Sequence, residues 1–178
     1  MKRLLHSLLM VSTACAAAVP TSCASPAQVR TPLPTVSVRP PISGIPEPVA
    51  AFSGVWSGRW DRFGTQLGAG PVSIDHALVV ESIVEQNNGV YGAAVIYSWG
   101  ESPGYEPGFT RTRGTISPEG LLRVGPFRAR DHNDGSQATY RLSTDRKTLS
   151  VELAVQGAVV SGTLWRTRLQ PPRGERAP

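Results

Sequence analysis

The chain has 178 residues, about the length of one domain with flanking segments, which excludes a multidomain enzyme. Its 18 glycines and 16 prolines, together with a charged fraction of only 17%, disfavour a helix-rich architecture. The formal net charge is +5, and the sequence lacks the long apolar runs of a polytopic helical membrane protein.

Residues 1–24 have the pattern of an export signal, either a signal peptide or a lipoprotein leader. Met1-Lys2-Arg3 is a basic start, and the following uncharged stretch to Ala18 is shorter than the roughly 20 apolar residues of a spanning helix. Cleavage after Ala18 or Ala24 fits the small-x-small rule. We expect a periplasmic protein, an outer-membrane-anchored lipoprotein or a secreted protein. Export argues against a nucleic-acid partner.

Both cysteines, Cys15 and Cys23, lie in this leader, so the folded part has no disulfide, thiolate metal site or cysteine nucleophile. The segment that ends at Cys15 resembles a bacterial lipobox, in which the cysteine becomes the lipidated first residue, and Cys23 is a second lipidation candidate. Two alternatives stay open, a lipid anchor to the membrane and a soluble periplasmic protein.

The segment 25–50 carries seven prolines and is predicted to be a disordered linker. Where such a chain is polyproline-like it extends by about 3.1 Å per residue, which suits a spacer behind a lipid anchor. The C-terminal residues 170–178 are predicted to be a disordered tail. The folded domain is therefore expected over residues 51–169.

Within 51–169, polarity alternates mostly with a period of two, and turn residues recur at short intervals. Short connections favour sequential antiparallel pairing, and a closed sheet has no exposed edges. We expect an all-β fold, an eight-stranded antiparallel up-and-down barrel whose interior is either filled or holds one small ligand. The predicted strands are 52–61, 74–84, 90–99, 109–116, 121–129, 137–142, 148–155 and 159–169.

The second and third predicted strands carry more apolar residues than one buried face needs. A barrel strand that faces solvent is polar on its outside. We therefore expect the outer face here to be covered by the linker, by a partner or by another copy of the chain. On the second strand, one face is expected to carry Leu78, Val80 and Val84. The opposite face is expected to carry Ala77, Val79 and Ile83.

Gly54-Val55-Trp56 on the first strand, with Arg166 and Arg168 on the last, resembles the lipocalin and calycin pattern. The resemblance implies a calycin-like barrel in which the tryptophan packs under an arginine of the closing strand and seals one end. The segments HALVVE, VIYSWG and PGF are similar to small exported bacterial domains without an assigned function. The overall plan also resembles periplasmic metalloprotease inhibitors, although those carry a disulfide in the barrel.

No catalytic motif is complete, so we expect no enzyme, no metal and no other cofactor. The segment 100–104 matches a nucleophile elbow around Ser102, but Pro103 has no N–H for an oxyanion hole. The histidines His76 and His132 lack the companion ligands of a zinc site, and 131–135 fits a hairpin turn better than a calcium loop. His76 is predicted to be a partly exposed strand residue.

Aromatic side chains are candidates for the lining of a ligand mouth, because apolar walls with a few polar groups form such sites. We expect the barrel to bind a small apolar ligand or an envelope protein. The alternative is a protease-inhibitor-like or structural envelope lipoprotein that acts through its outer face. The candidate aromatic residues are Trp56, Trp60, Tyr97, Trp99 and Trp165.

Glu81 is the charged candidate in the middle of a predicted strand. If it points inward it needs a partner, because an isolated buried carboxylate is too costly. Arg111, Arg113 and Arg166 are the candidate partners. Such a pair either orients a ligand or sets the strand register.

Overall fold

A computed structural model describes residues 29–62, 72–86, 89–101, 106–125, 137–155 and 158–168. The predicted export leader with both cysteines, the predicted C-terminal tail, Ser102 and the segment around His132 lie outside the described residues. Among the residues within those ranges, no helix is long and apolar enough to cross a membrane.

Eight antiparallel strands pair in chain order, and the last pairs with the first to close a barrel. This confirms the all-β, up-and-down barrel that the alternating polarity predicts. A four-residue helix, α1 (Glu47–Ala50), precedes the first strand. The strands are β1 (Gly54–Arg62), β2 (Val72–Glu85), β3 (Tyr91–Trp99), β4 (Gly108–Ile116), β5 (Leu121–Val124), β6 (Gln137–Leu142), β7 (Thr148–Val155) and β8 (Ala158–Thr167).

The fifth strand is described as far as Val124. The next residue, Gly125, has a φ of 122°, a conformation that is open to glycine and strained for other residues. The predicted strand continues to residue 129, but residues 126–129 lie outside the described ranges, so that part stays a prediction.

A β-bulge at Glu81 decides which residues of β2 face the interior. Val80 pairs with Val95 and Ser82 with Ala94, so Glu81 is one extra residue on β2. The bulge reverses the alternation beyond it. Ile83 is therefore in the core, whereas Val84, expected on the same face as Val80, is 54% exposed on the outside.

The two ends of the barrel differ in how they are closed. At the end where β1 begins, α1 and the residues after it pack over the interior, and Val49, Phe52 and Trp56 are completely buried. We call this the closed end. The opposite end, where β3 ends and β4 begins, retains inward-facing residues that solvent reaches, and we call it the open end.

The Pro-rich segment, residues 29–46, lies on the outer face of β1, β2 and β3, and we call it the N-terminal strap. Backbone contacts hold it: the amide of Arg39 donates to the Glu81 carbonyl oxygen at 2.8 Å, and the Ser98 hydroxyl donates to the Pro32 carbonyl at 2.6 Å. Beneath the strap, Val55, Val79 and Ile96 form one row of paired residues, all buried. The strap residues that pack against this row are Val29, Leu33 and Val36.

The strap therefore has defined contacts over residues 29–46. Prolines restrict the chain before it binds, so laying it on a surface costs less conformational entropy than for an ordinary segment. Three apolar side chains on the strap then bury themselves against the barrel. The linker, a partner and another copy of the chain were the three coverings expected for the outer face of β2 and β3. The structure shows the chain's own linker there.

We expect Leu33→Asp to lower the free energy of unfolding by about 1–2 kcal/mol, because it removes apolar burial and places a charge against the barrel. Urea denaturation of the full chain measures this. Ile42→Asp is the control, since Ile42 belongs to the same strap but is 63% exposed, and we expect a change within about 0.5 kcal/mol. Equal unfolding midpoints for the two variants would show that the strap does not stabilise the barrel.

Candidate functional site

Trp56 and Arg166 form the contact that the lipocalin resemblance implies, at the closed end. The Arg166 guanidinium carbon lies 4.4 Å from the centre of the Trp56 ring. The Trp56 indole N–H donates to the Phe52 carbonyl at 2.9 Å, and Arg166 donates to the Ser53 carbonyl at 3.0 Å. These bonds fasten the chain before β1 to β8. Trp56 and Arg166 are therefore structural, and neither lies at the open end.

Toward the open end, the inward side chains of four strands form an aromatic cluster. The Trp60 and His76 rings meet edge to face with centroids 4.4 Å apart, and Tyr97 lies 4.8 Å from His76 and 5.6 Å from Trp60. Centroid distances in this range and tilted geometries are those that aromatic pairs prefer. The members of the aromatic cluster are Trp60, His76, Tyr97, Trp99 and Tyr140.

His76 is locked as a neutral imidazole at the centre of the cluster. Its Nδ1 lies 2.7 Å from the Ser98 carbonyl oxygen, which can only accept, so Nδ1 carries the hydrogen. Its Nε2 then accepts from the Tyr140 hydroxyl at 2.9 Å. Complete burial lowers the pKa of His76 to about 3, and the bond to Ser98 opposes this only in part. His76 is therefore available neither as a general base nor as a metal ligand.

The remaining polar groups of the cluster are also uncharged. Burial raises the pKa of both Tyr97 and Tyr140, so their hydroxyls stay protonated. The Trp99 indole N–H donates to the Glu106 carbonyl at 2.8 Å. Trp60 differs: its indole nitrogen is buried and has no hydrogen-bond partner among the described residues. A buried donor without a partner is costly, and here it points into the barrel interior.

Solvent reaches the interior on one side of the open end. Trp99 on β3 and the inward positions Thr110 and Thr112 on β4 are only half-buried, and so is Ile74 on β2. At the closed end, in contrast, inward residues such as Leu164 are fully buried. The open end therefore combines aromatic side chains with two partly exposed hydroxyls.

The other predicted site residues lie on the outside of the barrel. Glu81 is held at the bulge, where its carboxylate is 3.6 Å from Arg111 Nε, and Arg111 also donates to the Thr35 carbonyl of the strap at 2.8 Å. The pair thus clamps the strap and does not face the interior. Arg113 is exposed on the outer face of β4, and Trp165 is exposed on the outer face of β8.

Of the nine candidate ligand-binding residues, the structure brings Trp60, Tyr97 and Trp99 together in the aromatic cluster, and it pairs Trp56 with Arg166 and Glu81 with Arg111 elsewhere. His76 and Tyr140 complete the cluster and were missed. His76 was expected to be partly exposed, yet it is 1% exposed. The signal that could have found it is the alternation of β2, because His76 has the same parity as Leu78 and Val80, which the core contains.

The described ranges contain no group of three or more histidine, cysteine, aspartate or glutamate side chains that could hold a metal ion. No protein-family model matches the chain, and no curated protein matches it. The site is therefore interpreted from its own geometry.

Proposed function

We propose that this protein is a non-catalytic, exported barrel that binds one small, uncharged, mostly apolar molecule at the open end. One observation carries the proposal, the buried and unpartnered indole N–H of Trp60. A ligand with a hydrogen-bond acceptor would satisfy that donor while its apolar body packs against Tyr97 and Trp99. Binding sites are commonly apolar cavities with a few polar groups that fix orientation.

The side chains of the aromatic cluster determine which ligand charge the site can accept. His76 is neutral and both tyrosine hydroxyls are protonated, so the cluster offers a charged ligand no counter-charge. Removing an ion from water without such a partner costs many kcal/mol. The ligand is therefore neutral. The two ring nitrogens of His76 are occupied by Ser98 and Tyr140, so this histidine is not free to act as a base.

The alternative function, inhibition or an envelope role through the outer face, has less support. The apolar row of Val55, Val79 and Ile96 that would serve a partner is buried under the chain's own strap. Lipidation at Cys15 or Cys23 belongs to the proposal as its membrane-anchored form, since the interior site is compatible with either an anchored or a free barrel.

The test uses two matched neutral probes, 2-acetylnaphthalene, which has a carbonyl acceptor, and 2-ethylnaphthalene, which lacks it. Isothermal titration calorimetry on the full chain should show both bind with one-to-one stoichiometry. We expect Trp60→Phe to lower the affinity for the acetyl compound about three- to tenfold, which corresponds to the loss of one hydrogen bond. The affinity for the ethyl compound should change by less than about twofold.

Trp165→Phe is the matched control, because it makes the same change in a tryptophan outside the barrel, 48% exposed. It should alter neither affinity. If neither probe binds the unaltered chain at 1 mM, the interior site is wrong. If Trp60→Phe weakens the binding of both probes equally, the proposed hydrogen bond is wrong.

A further inference from the structure

A groove with a volume of about 550 Å³ runs over the outer surface where β1, β8 and β7 lie side by side. It is on the opposite side of the barrel wall from the aromatic cluster. Its character differs from that of the interior, because the outward side chains that line it are mostly polar. They include hydroxyls, the carboxylates of Asp61 and Glu152, the guanidinium of Arg59 and, among the described residues, a single large aromatic ring, Trp165.

Trp165 presents an indole ring to solvent near the C-terminal end of β8. It is 48% exposed, although tryptophan is usually buried for most of its surface. On the same face of β8, Thr163 and Ser161 follow at two-residue intervals. At about 3.3 Å per residue, the row from Trp165 to Ser161 is about 13 Å long, enough for two to three sugar rings.

Polar groups flank this row on both sides. Thr163 pairs with Ser150 of β7, and Ser161 pairs with both Glu152 of β7 and Asp61 of β1. Neither of these carboxylates forms a salt bridge within the part of the chain that the structure describes. The nearby Arg59 is already engaged with Asp75, its Nε lying 3.5 Å from a carboxylate oxygen.

We propose that this groove binds a neutral oligosaccharide. The indole of Trp165 offers a flat apolar surface to the C–H face of a pyranose ring. The carboxylates of Asp61 and Glu152 accept hydrogen bonds from sugar hydroxyls, and such charge-assisted bonds are stronger than neutral ones. The groove holds two carboxylates and one guanidinium, that of Arg59, which is already paired with Asp75. Its net charge is therefore negative, which disfavours a nucleic acid or an acidic polysaccharide. Trp165 is the one large apolar side chain among its described lining residues, which disfavours an apolar protein surface.

The proposal is tested with cellotetraose and chitotetraose, titrated into the full chain and followed by calorimetry. We expect at least one to bind, and Trp165→Ala to weaken that binding tenfold or more. Phe109→Ala is the matched control, since Phe109 is a 44% exposed aromatic residue on β4, away from the groove. The affinity of that control variant for the sugar should stay within twofold of that of the unaltered chain.

Two further measurements separate this site from its rivals. Glu152→Gln should lower the affinity for the sugar several-fold while the chain remains folded. Trp60→Phe should leave that affinity unchanged, because Trp60 is inside the barrel. Tetragalacturonate, an acidic sugar, should bind more weakly than its neutral counterparts. The proposal is overturned if neither neutral sugar binds at 5 mM, if Trp165→Ala and Phe109→Ala behave alike, or if trilysine binds and the sugars do not.

Discussion

Trp56→Ala is expected to lower the free energy of unfolding by about 3–5 kcal/mol, the range for removing a fully buried tryptophan. The side chain has no exposed surface, donates to the Phe52 carbonyl at 2.9 Å, and stacks 4.4 Å from the Arg166 guanidinium carbon. Its loss leaves a cavity at the closed end and removes the contact that ties the chain before β1 to β8.

Urea denaturation monitored by far-ultraviolet circular dichroism measures this loss. Trp165→Ala is the matched control, because Trp165 is 48% exposed on the adjacent strand, and we expect a change of less than about 1 kcal/mol. Trp56→Phe retains an aromatic ring and loses the indole N–H, so its effect should fall between the two. A destabilisation by Trp56→Ala no larger than that by Trp165→Ala would contradict the assigned role of the closed end.

The second large effect is a loss of stability in mild acid that depends on His76. In the folded barrel, burial lowers the pKa of His76 to about 3, from its ordinary value of 6.5. Below pH 6.5 the unfolded chain therefore binds a proton that the folded chain rejects, and stability falls as pH falls. Between pH 6.5 and 4.5 this single group should remove about 2 kcal/mol.

The measurement is the free energy of unfolding in urea at several pH values, for the original chain and for His76→Gln. Glutamine retains a donor and an acceptor for Ser98 and Tyr140 but does not titrate. The variant should be less stable at pH 7 and should lack the steep decline between pH 6.5 and 4.5. Since the other histidines are present in both chains, an identical decline in the variant would show that His76 does not cause it.

Carboxylates act in a lower pH range and so can be separated from His76. Hydrogen bonds from Ser117 lower the pKa of Glu119, and hydrogen bonds from Ser143 lower the pKa of Asp145. Their contribution is complete above the ordinary carboxyl pKa and is lost as pH falls below it. A decline that begins only below pH 4.5 would point to such groups instead of the buried imidazole.

The candidate site was only partly predictable. Trp60, Tyr97 and Trp99 were predicted because aromatic residues at alternating strand positions share one face. Tyr140 was not, because its contact with His76 joins residues 64 positions apart, and no local pattern encodes that pairing. Glu81 was selected because of the cost of a buried charge, but it follows the inward-facing Val80 and therefore lies on the outside, beside Arg111.

The sequence by itself determined the strands, their order and the closed antiparallel sheet, because period-two polarity and turn chemistry are local properties of the chain. The pairing of Trp56 with Arg166 was also predictable, through the resemblance at the two ends of the barrel. Only the tertiary structure decided which face each strand presents beyond the Glu81 bulge, that the strap lies on the barrel, and that Trp165 is outside. These features depend on distant segments meeting, where burial and backbone register outweigh local propensity.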